Sequence, residues 1–255
     1  MVALPSPAAF EHKLMAYRRI WRGSVLMTFG MPILFLSSLG WSVGAQIDRR
    51  GLLDVPYLEY IAPGLLVNSA LQVAVSEMMA PVLGSVMWSR IFHAMRAAPM
   101  AVPDIVAGHL GYVLLRSGLG AVGFTIVMAA FGLLHSVWAV LLVPIALLVA
   151  AAGSLPVFAY SVRLRYEGNF QLIQRFAVIP MTLFAGVFFP VSVMPLPARL
   201  LAYASPLWHG VELSRSAASG VGFGWLTAVH VLYLAAWAGV GFWLGCRGLA
   251  RRLCD

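Results

Sequence analysis

Between Phe170 and Gly224 the chain has a shape that a plain pair of membrane spans does not produce. An apolar run, Phe176 to Phe189, stops at Pro190-Val-Ser-Val-Met-Pro-Leu-Pro197, with three prolines in eight residues. Proline has no amide to donate and clashes with the preceding turn, so such a cluster is expected to end a helix. A short segment, Ala198 to Ala204, follows. A second opens at Ser205-Pro206, where serine reads as an N-cap and proline as the first helical residue. The second segment carries His209, Glu212 and Arg215. The pattern predicts a span that ends in two short helices turning back toward the membrane, before a last span starts near Trp225.

The membrane enters through composition. Of the 255 residues 61% are hydrophobic and 10% charged, with a mean hydropathy of +0.88. Soluble domains run at about 45–50% apolar and about 25% charged. The apolar residues lie in runs of about 20, the length of a spanning helix, and not in alternating ten-residue segments, which argues against a β-barrel. The net charge of +8 would suggest nucleic acid in a soluble protein. Here the basic residues flank the spans, and no soluble region exists to carry such a partner. Cys246 and Cys254 form no C-x-x-C and are expected to be free thiols. Val43-Gly-Ala45 resembles a signal cleavage site, but the 24 residues before Val25 are long for that role, so this stretch reads as the first span.

Residues 1–24 read as an amphipathic interfacial helix. Phe10, Leu14, Tyr17 and Trp21 share one face, and Lys13, Arg18, Arg19 and Arg22 lie largely elsewhere. An ordinary basic tail is the alternative. Six spans are expected: Val25–Val43, Tyr60–Gly84, Asp104–Leu133, Val137–Tyr160, Phe176–Phe189 and Trp225–Gly245. They form one all-α, polytopic domain, with residues 246–255 as a tail. Twelve Lys and Arg residues fall on the side of the two termini and four on the other, with Arg116 inside a span. Both termini are therefore expected in the cytoplasm and the broken hairpin outside.

Motifs for catalysis are lacking. With Lys13 as its only lysine, the chain cannot build a G-x-x-x-x-G-K-[ST] phosphate loop. It has no H-E-x-x-H and no cysteine–histidine zinc spacing. Three other features stand out. The segment Val86–Pro103 has an apolar patch, Ile91, Phe92 and Met95, and a wet one, Arg90, His93 and Arg96. It suits docking in a partner's groove, or equally lying on the membrane surface. Glu77 and Arg116 are charges inside spans, where charges are expensive. They serve a transport path, or simply pair with each other, with His109 nearby. Glu212 and Arg215, three apart, share a helical face and either position the hairpin or only solvate it.

Ser76-Glu-Met-Met-Ala-Pro-Val-Leu83, Arg90-Ile-Phe-His-Ala-Met-Arg-Ala-Ala-Pro-Met100 and Asp104-Ile-Val-Ala-Gly108 resemble the type-2 family of ABC transporter permeases, in the branch of nodulation-type lipo-oligosaccharide and daunorubicin-type drug exporters. Phe188-Phe-Pro-Val-Ser-Val-Met-Pro-Leu-Pro197 and Ala204-Ser-Pro-Leu-Trp-His-Gly-Val-Glu-Leu-Ser-Arg215 agree, Trp208 filling the variable position after Pro-Leu. The resemblance spans roughly residues 60–245. It implies six spans and re-entrant extracellular helices, with Pro190, Pro195, Pro197, Pro206, His209, Glu212 and Arg215 in an outer lid. It also implies a coupling helix whose Arg90, Ile91, Phe92, Met95 and Arg96 meet an ABC ATPase subunit. A second permease subunit would complete the pore. The chain itself would hold no cofactor, and ATP and Mg would bind the partner. The implied cargo is a hydrophobic or amphiphilic molecule, a drug or lipid, or else a lipid-linked saccharide. A membrane-embedded enzyme or an ion-coupled secondary transporter are the readings from other classes. The first needs more converging polar residues, and the second often shows repeats and midplane breaks.

Overall fold

The structure, a computed structural model, describes residues 29–51, 53, 55–97, 100–220 and 224–253. The expected interfacial helix at 1–24, the start of the first span, the Pro99 stop and Cys254 lie outside those residues. All regular structure among the described residues is helical.

Helix α1 covers residues 29–49: an α-helix over 29–39, a π turn at Gly40–Gly44 and a last turn at Ala45–Arg49. The polar loop expected from Gln46 is therefore partly helix. Asp48 has a structural task there, because its Oδ1 accepts the amide of Tyr57 at 2.9 Å. That amide opens the next helix, where no intrahelical carbonyl is available to it. Gly40 and Gly44 let α1 lie close on that helix: a Cβ on Gly40 would stand 2.7 Å from Leu58 Cδ1.

The second span, expected as one helix to Gly84, is broken. Helix α2 (Tyr57–Glu77) ends, Met78 and Met79 turn, and α3 (Ala80–Met87) resumes with Pro81 in its first turn. A short α4 (Ile91–Ala97) follows, preceded by Arg90 at a left-handed φ of 47°. Helix α5 (Val102–Ala130) matches expectation, and the Asp104 carboxylate accepts the Ala101 amide at 3.2 Å. A 3-10 turn at Val137–Leu141, capped by Ser136 Oγ, leads into α6 (Leu142–Ser161).

The fifth segment differs from its expected bounds. Helix α7 runs Phe170–Phe184, with a π turn at Gln174–Val178, so Arg175 is helical and Phe189 is not. Its fifteen residues reach about 22 Å, less than the ~30 Å hydrocarbon core. Gly186, at a φ of 76°, ends this stretch in a conformation that disfavours side chains with a Cβ.

The prolines start helices as much as they stop one. Pro190 caps a 3-10 turn, and Pro195 and Pro197 open α8 (Leu196–Tyr203). Ser205 Oγ accepts the Leu207 amide at 3.2 Å and begins α9 (Pro206–Ser219). Helix α10 (Trp225–Arg252) runs past the expected Gly245, so most of the expected tail is helix. Among the described residues four helical stretches are long and apolar enough to cross a membrane: Tyr57–Met87, Val102–Ala130, Val137–Ser161 and Trp225–Arg252.

Helix α6 is the hub, packed against α2, α5, α9 and α10. Glycine sets the closest approaches. A Cβ on Gly210 of α9 would stand 2.1 Å from Val149 Cγ2 of α6, so α9 is pressed into the bundle. Gly241, Gly245 and Gly248 of α10 face Leu155, Phe158 and Val162 of α6 in order, so these two helices run parallel.

Candidate functional site

The break in the second span creates the first polar cluster. In a continuous helix the Glu77 carbonyl would accept the amide of residue 81, but Pro81 has none. The carbonyl is met instead by His109 Nε2 of α5 at 3.4 Å, which makes that nitrogen the donor. His109 is buried, with its ring edge-on to Phe92 and tilted over Phe158. About two turns further along α5, Ser117 Oγ donates to the Ala70 carbonyl at 3.2 Å, and Arg116 Nη1 donates to Glu77 Oε1. The structure thus brings together all three intramembrane groups singled out in the sequence. Both side chains of the ion pair are mostly shielded, so each charge depends on the other.

The α4 segment departs from the reading as a row of exposed knobs. Phe92, expected to enter a partner's groove, is 2% exposed and is core to its own chain, against His109 and Phe158. Ile91 and Met95 are half-buried. The exposed surface here is Met87, Trp88, Ser89, Arg90, Ala94 and Arg96, with Trp88 67% exposed. Alternation of apolar and basic residues could not reveal this, because α4 has its own bundle to pack on.

At the opposite end, Arg215 is an anchor and not a solvated surface charge. Its side chain is 17% exposed and lies over the Tyr60 ring at 3.7 Å. It donates to the carbonyls of Tyr60 at 3.1 Å and Gly186 at 2.5 Å, and to Glu212 Oε1 at 3.3 Å. One guanidinium therefore ties α9 to the start of α2 and to the turn after α7. A cavity of about 240 Å³ opens beside it, lined among others by Glu59, Tyr60, His135, Arg215 and Ser219. His135 Nε2 and Glu59 Oε2 stand 3.3 Å apart on its wall.

His209 and His230 join α9 to α10. His209 Nε2 meets the Tyr203 carbonyl at 3.1 Å and must donate. Its Nδ1 is then an acceptor when the ring is neutral, and His230 Nδ1, 2.7 Å away, donates to it. Tyr233, stacked on His209 at 3.9 Å, donates its hydroxyl to the Ala204 carbonyl at 2.6 Å. Burial, then the nearby His230, hold the His209 pKa down to about 4, against the pull of the Tyr203 carbonyl. Among the described residues no three His, Cys, Asp or Glu side chains converge as a metal site.

A family model described as ABC-2 type transporter matches residues 8–219. The chain belongs to the ABC-2 type transporter family. It is similar to nodulation protein J of Rhizobium leguminosarum bv. viciae, 26% identical over 249 residues that cover 96% of this chain and 94% of the relative. Nodulation protein J of Azorhizobium caulinodans is 28% identical over 257 residues, 97% and 96% of the two chains. The inner membrane transport permease YadH of Escherichia coli (strain K12) is 27% identical over 254 residues, 93% and 94%. No solved structure matches. The chain is thus a membrane transport subunit.

In this ABC-2 permease a further polar group, like Glu59 with His135 and His230 with Tyr233, escaped the sequence reading. Thr182 Oγ1 of α7 donates to Asn68 Oδ1 at 3.0 Å and accepts from Gln72 Nε2 at 3.2 Å, both on α2. Asn68, Gln72 and Ser76 are spaced four apart and none is buried, so α2 carries a polar stripe among apolar neighbours. That spacing was the available signal; charge alone drew the eye to Glu77.

Proposed function

We propose that this permease is the membrane subunit of an ATP-driven exporter that moves a hydrophobic or amphiphilic molecule outward. Two such subunits form the pore, and separate ABC ATPase subunits bind ATP and Mg below them. The observation that carries this reading is the ABC-2 family match over α1 to α9, joined to a polar stripe of Asn68, Gln72 and Ser76 on a half-exposed face. Uncharged polar groups at membrane depth favour a cavity or a partner over lipid tails.

In this reading the chain is a single six-span domain of the inner membrane, with α1 and α7 as the two further spans. Both termini are cytoplasmic. Lys and Arg concentrate at the end holding α4 and the close of α10, which supports that orientation. The ATPase meets the exposed Trp88, Arg90 and Arg96 surface, with Phe92 holding α4 in place from beneath. Helices α8 and α9 are re-entrant and close the outer end, pinned by Arg215. A lipid-linked saccharide is the second cargo class, favoured by the recurrence of nodulation proteins among the relatives.

Reconstitution of the chain with its ATPase subunit in proteoliposomes tests the function. A fluorescent amphiphile should move outward only with hydrolysable ATP. Movement driven by an ion gradient without ATP would replace this reading with a secondary transporter.

A further inference from the structure

The paired ends of α6 and α10 hold a basic recess that no step above uses. Because these helices run parallel, α6 ends at Ser161, level with Gly248, and α10 runs one turn further to Arg252. Gly248 makes the recess possible. A Cβ there would stand 3.0 Å from Val162 Cγ2 and 3.5 Å from Arg163 Nε, so the bare glycine gives Val162 its close seat and leaves the Arg163 side chain at contact distance from the α10 backbone. The space is about 300 Å³ and is lined by Val162, Arg163, Gly248, Arg251 and Arg252.

Among the described residues its charge is one-sided. Two helix C-termini contribute about −0.5 each, and three guanidiniums about +3, which leaves about +2. Among the described residues the carboxylate ion pairs lie elsewhere, at Glu77, Glu59 and Glu212. Arg252 Nη2 reaches the thioether of Met87, at 3.1 Å, a weak acceptor. Guanidinium forks match phosphate oxygens in geometry as well as charge.

Depth selects the source of the phosphate. Just inside the recess Trp243 and Tyr160 are exposed, and Arg247 lies over the Trp243 ring at 3.8 Å. Exposed Trp and Tyr of this kind mark the headgroup level of a bilayer, where basic pockets between helices take anionic lipids. We propose that the recess formed by Arg163, Gly248, Arg251 and Arg252 binds the phosphate of an anionic phospholipid and clamps the ends of α6 and α10 together. This rests on the chain lying in a bilayer, and on neither its orientation nor its cargo.

Native mass spectrometry of the full chain in detergent, where both ends are open and no ATPase is needed, tests the site. Dioleoyl phosphatidylglycerol, dioleoyl phosphatidylcholine and inorganic phosphate are the probes. The chain should retain phosphatidylglycerol over phosphatidylcholine. Replacing Arg163, Arg251 and Arg252 together by Gln should weaken that binding at least about tenfold, since charge-assisted contacts are lost. Gly248→Val, which fills the recess and keeps every charge, should weaken it too. Replacing Arg49, Arg50 and Arg199 by Gln should leave it intact. Equal retention by wild type and the Arg163/Arg251/Arg252 variant would overturn the proposal. So would equal loss in the Arg49/Arg50/Arg199 variant, which would show diffuse attraction. Displacement of the lipid by equimolar inorganic phosphate would show an ion site and overturn the lipid assignment.

Discussion

His109 donates from Nε2 to the carbonyl of Glu77 at 3.4 Å, the carbonyl that Pro81 leaves without a helical partner. A proline on one helix and a histidine on another are thus two halves of one hydrogen-bonding account. His109→Phe removes the donor and should lower stability by about 1–3 kcal/mol, the cost of stranding a buried polar group. In a Pro81→Ala background, where an amide can again reach Glu77, the same change should cost clearly less. Thermal melts of the four proteins read the cycle; equal losses in both backgrounds would break the link.

Glu77 and Arg116 should be energetically coupled. Removing one strands a largely buried charge, which costs on the order of 3–5 kcal/mol when desolvation is complete and less here, where both side chains keep some exposure. Glu77→Gln and Arg116→Gln should each reduce yield and melting temperature, and the double variant should recover part of the loss. Additive losses would show that the two groups act separately.

Arg215 holds three elements by donating to two backbone carbonyls and one carboxylate. Arg215→Lys keeps the charge but not the fork or the ring contact with Tyr60. It should destabilise by about 2 kcal/mol, in the range for hydrogen bonds to charged groups. An unchanged melting temperature would make Arg215 a surface charge after all. The same end of the fold predicts labelling. Leu207 and Val211 are fully buried, while Ser219 is exposed. Cysteines at the first two should resist bulky aqueous reagents, and one at Ser219 should react from outside the cell. Reaction at Ser219 only from the cytoplasm would invert the proposed orientation.

His209 predicts a pH window. Its folded pKa of about 4 lies below the usual 6.5, so the folded chain binds fewer protons than the unfolded one. The stability it contributes is full above pH 6.5 and is lost as the pH falls toward 4. A second proton would set two Nδ1–H groups against each other at the His209–His230 contact, with Tyr233 and the Tyr203 carbonyl closing the other sides. The melting temperature should fall between pH 6.5 and 5, and His209→Gln should flatten the fall. A wild-type profile flat across that interval would contradict the neutral assignment.

Much of this architecture is legible in the sequence. Hydropathy marks the four long helices, and Ser205-Pro206 marks the start of α9, because these signals are local. What stayed hidden depends on neighbours. Pro81 breaks the second span, yet the same sequence would pass for a kink without His109 to satisfy the freed carbonyl. Phe92 looked like a knob because its own receptor, the His109 and Phe158 rings, is remote in sequence. Gly241 and Gly245 form a packing seam only because α6 sets Leu155 and Phe158 against them, remote in sequence. Arg215 paired with Glu212 as its spacing implied, but its larger contacts, to Tyr60 and Gly186, are long-range.

The central claim is that this chain works as the membrane half of an ATP-driven exporter. The mass and subunit content of the assembly, purified intact from its own membranes in mild detergent, test it most directly. Two copies of this chain with two ATP-hydrolysing subunits, whose association weakens on Trp88→Ala and Arg96→Glu, are the expected result. A stable assembly without any ATP-binding subunit, still able to move an amphiphile across proteoliposomes, would contradict it.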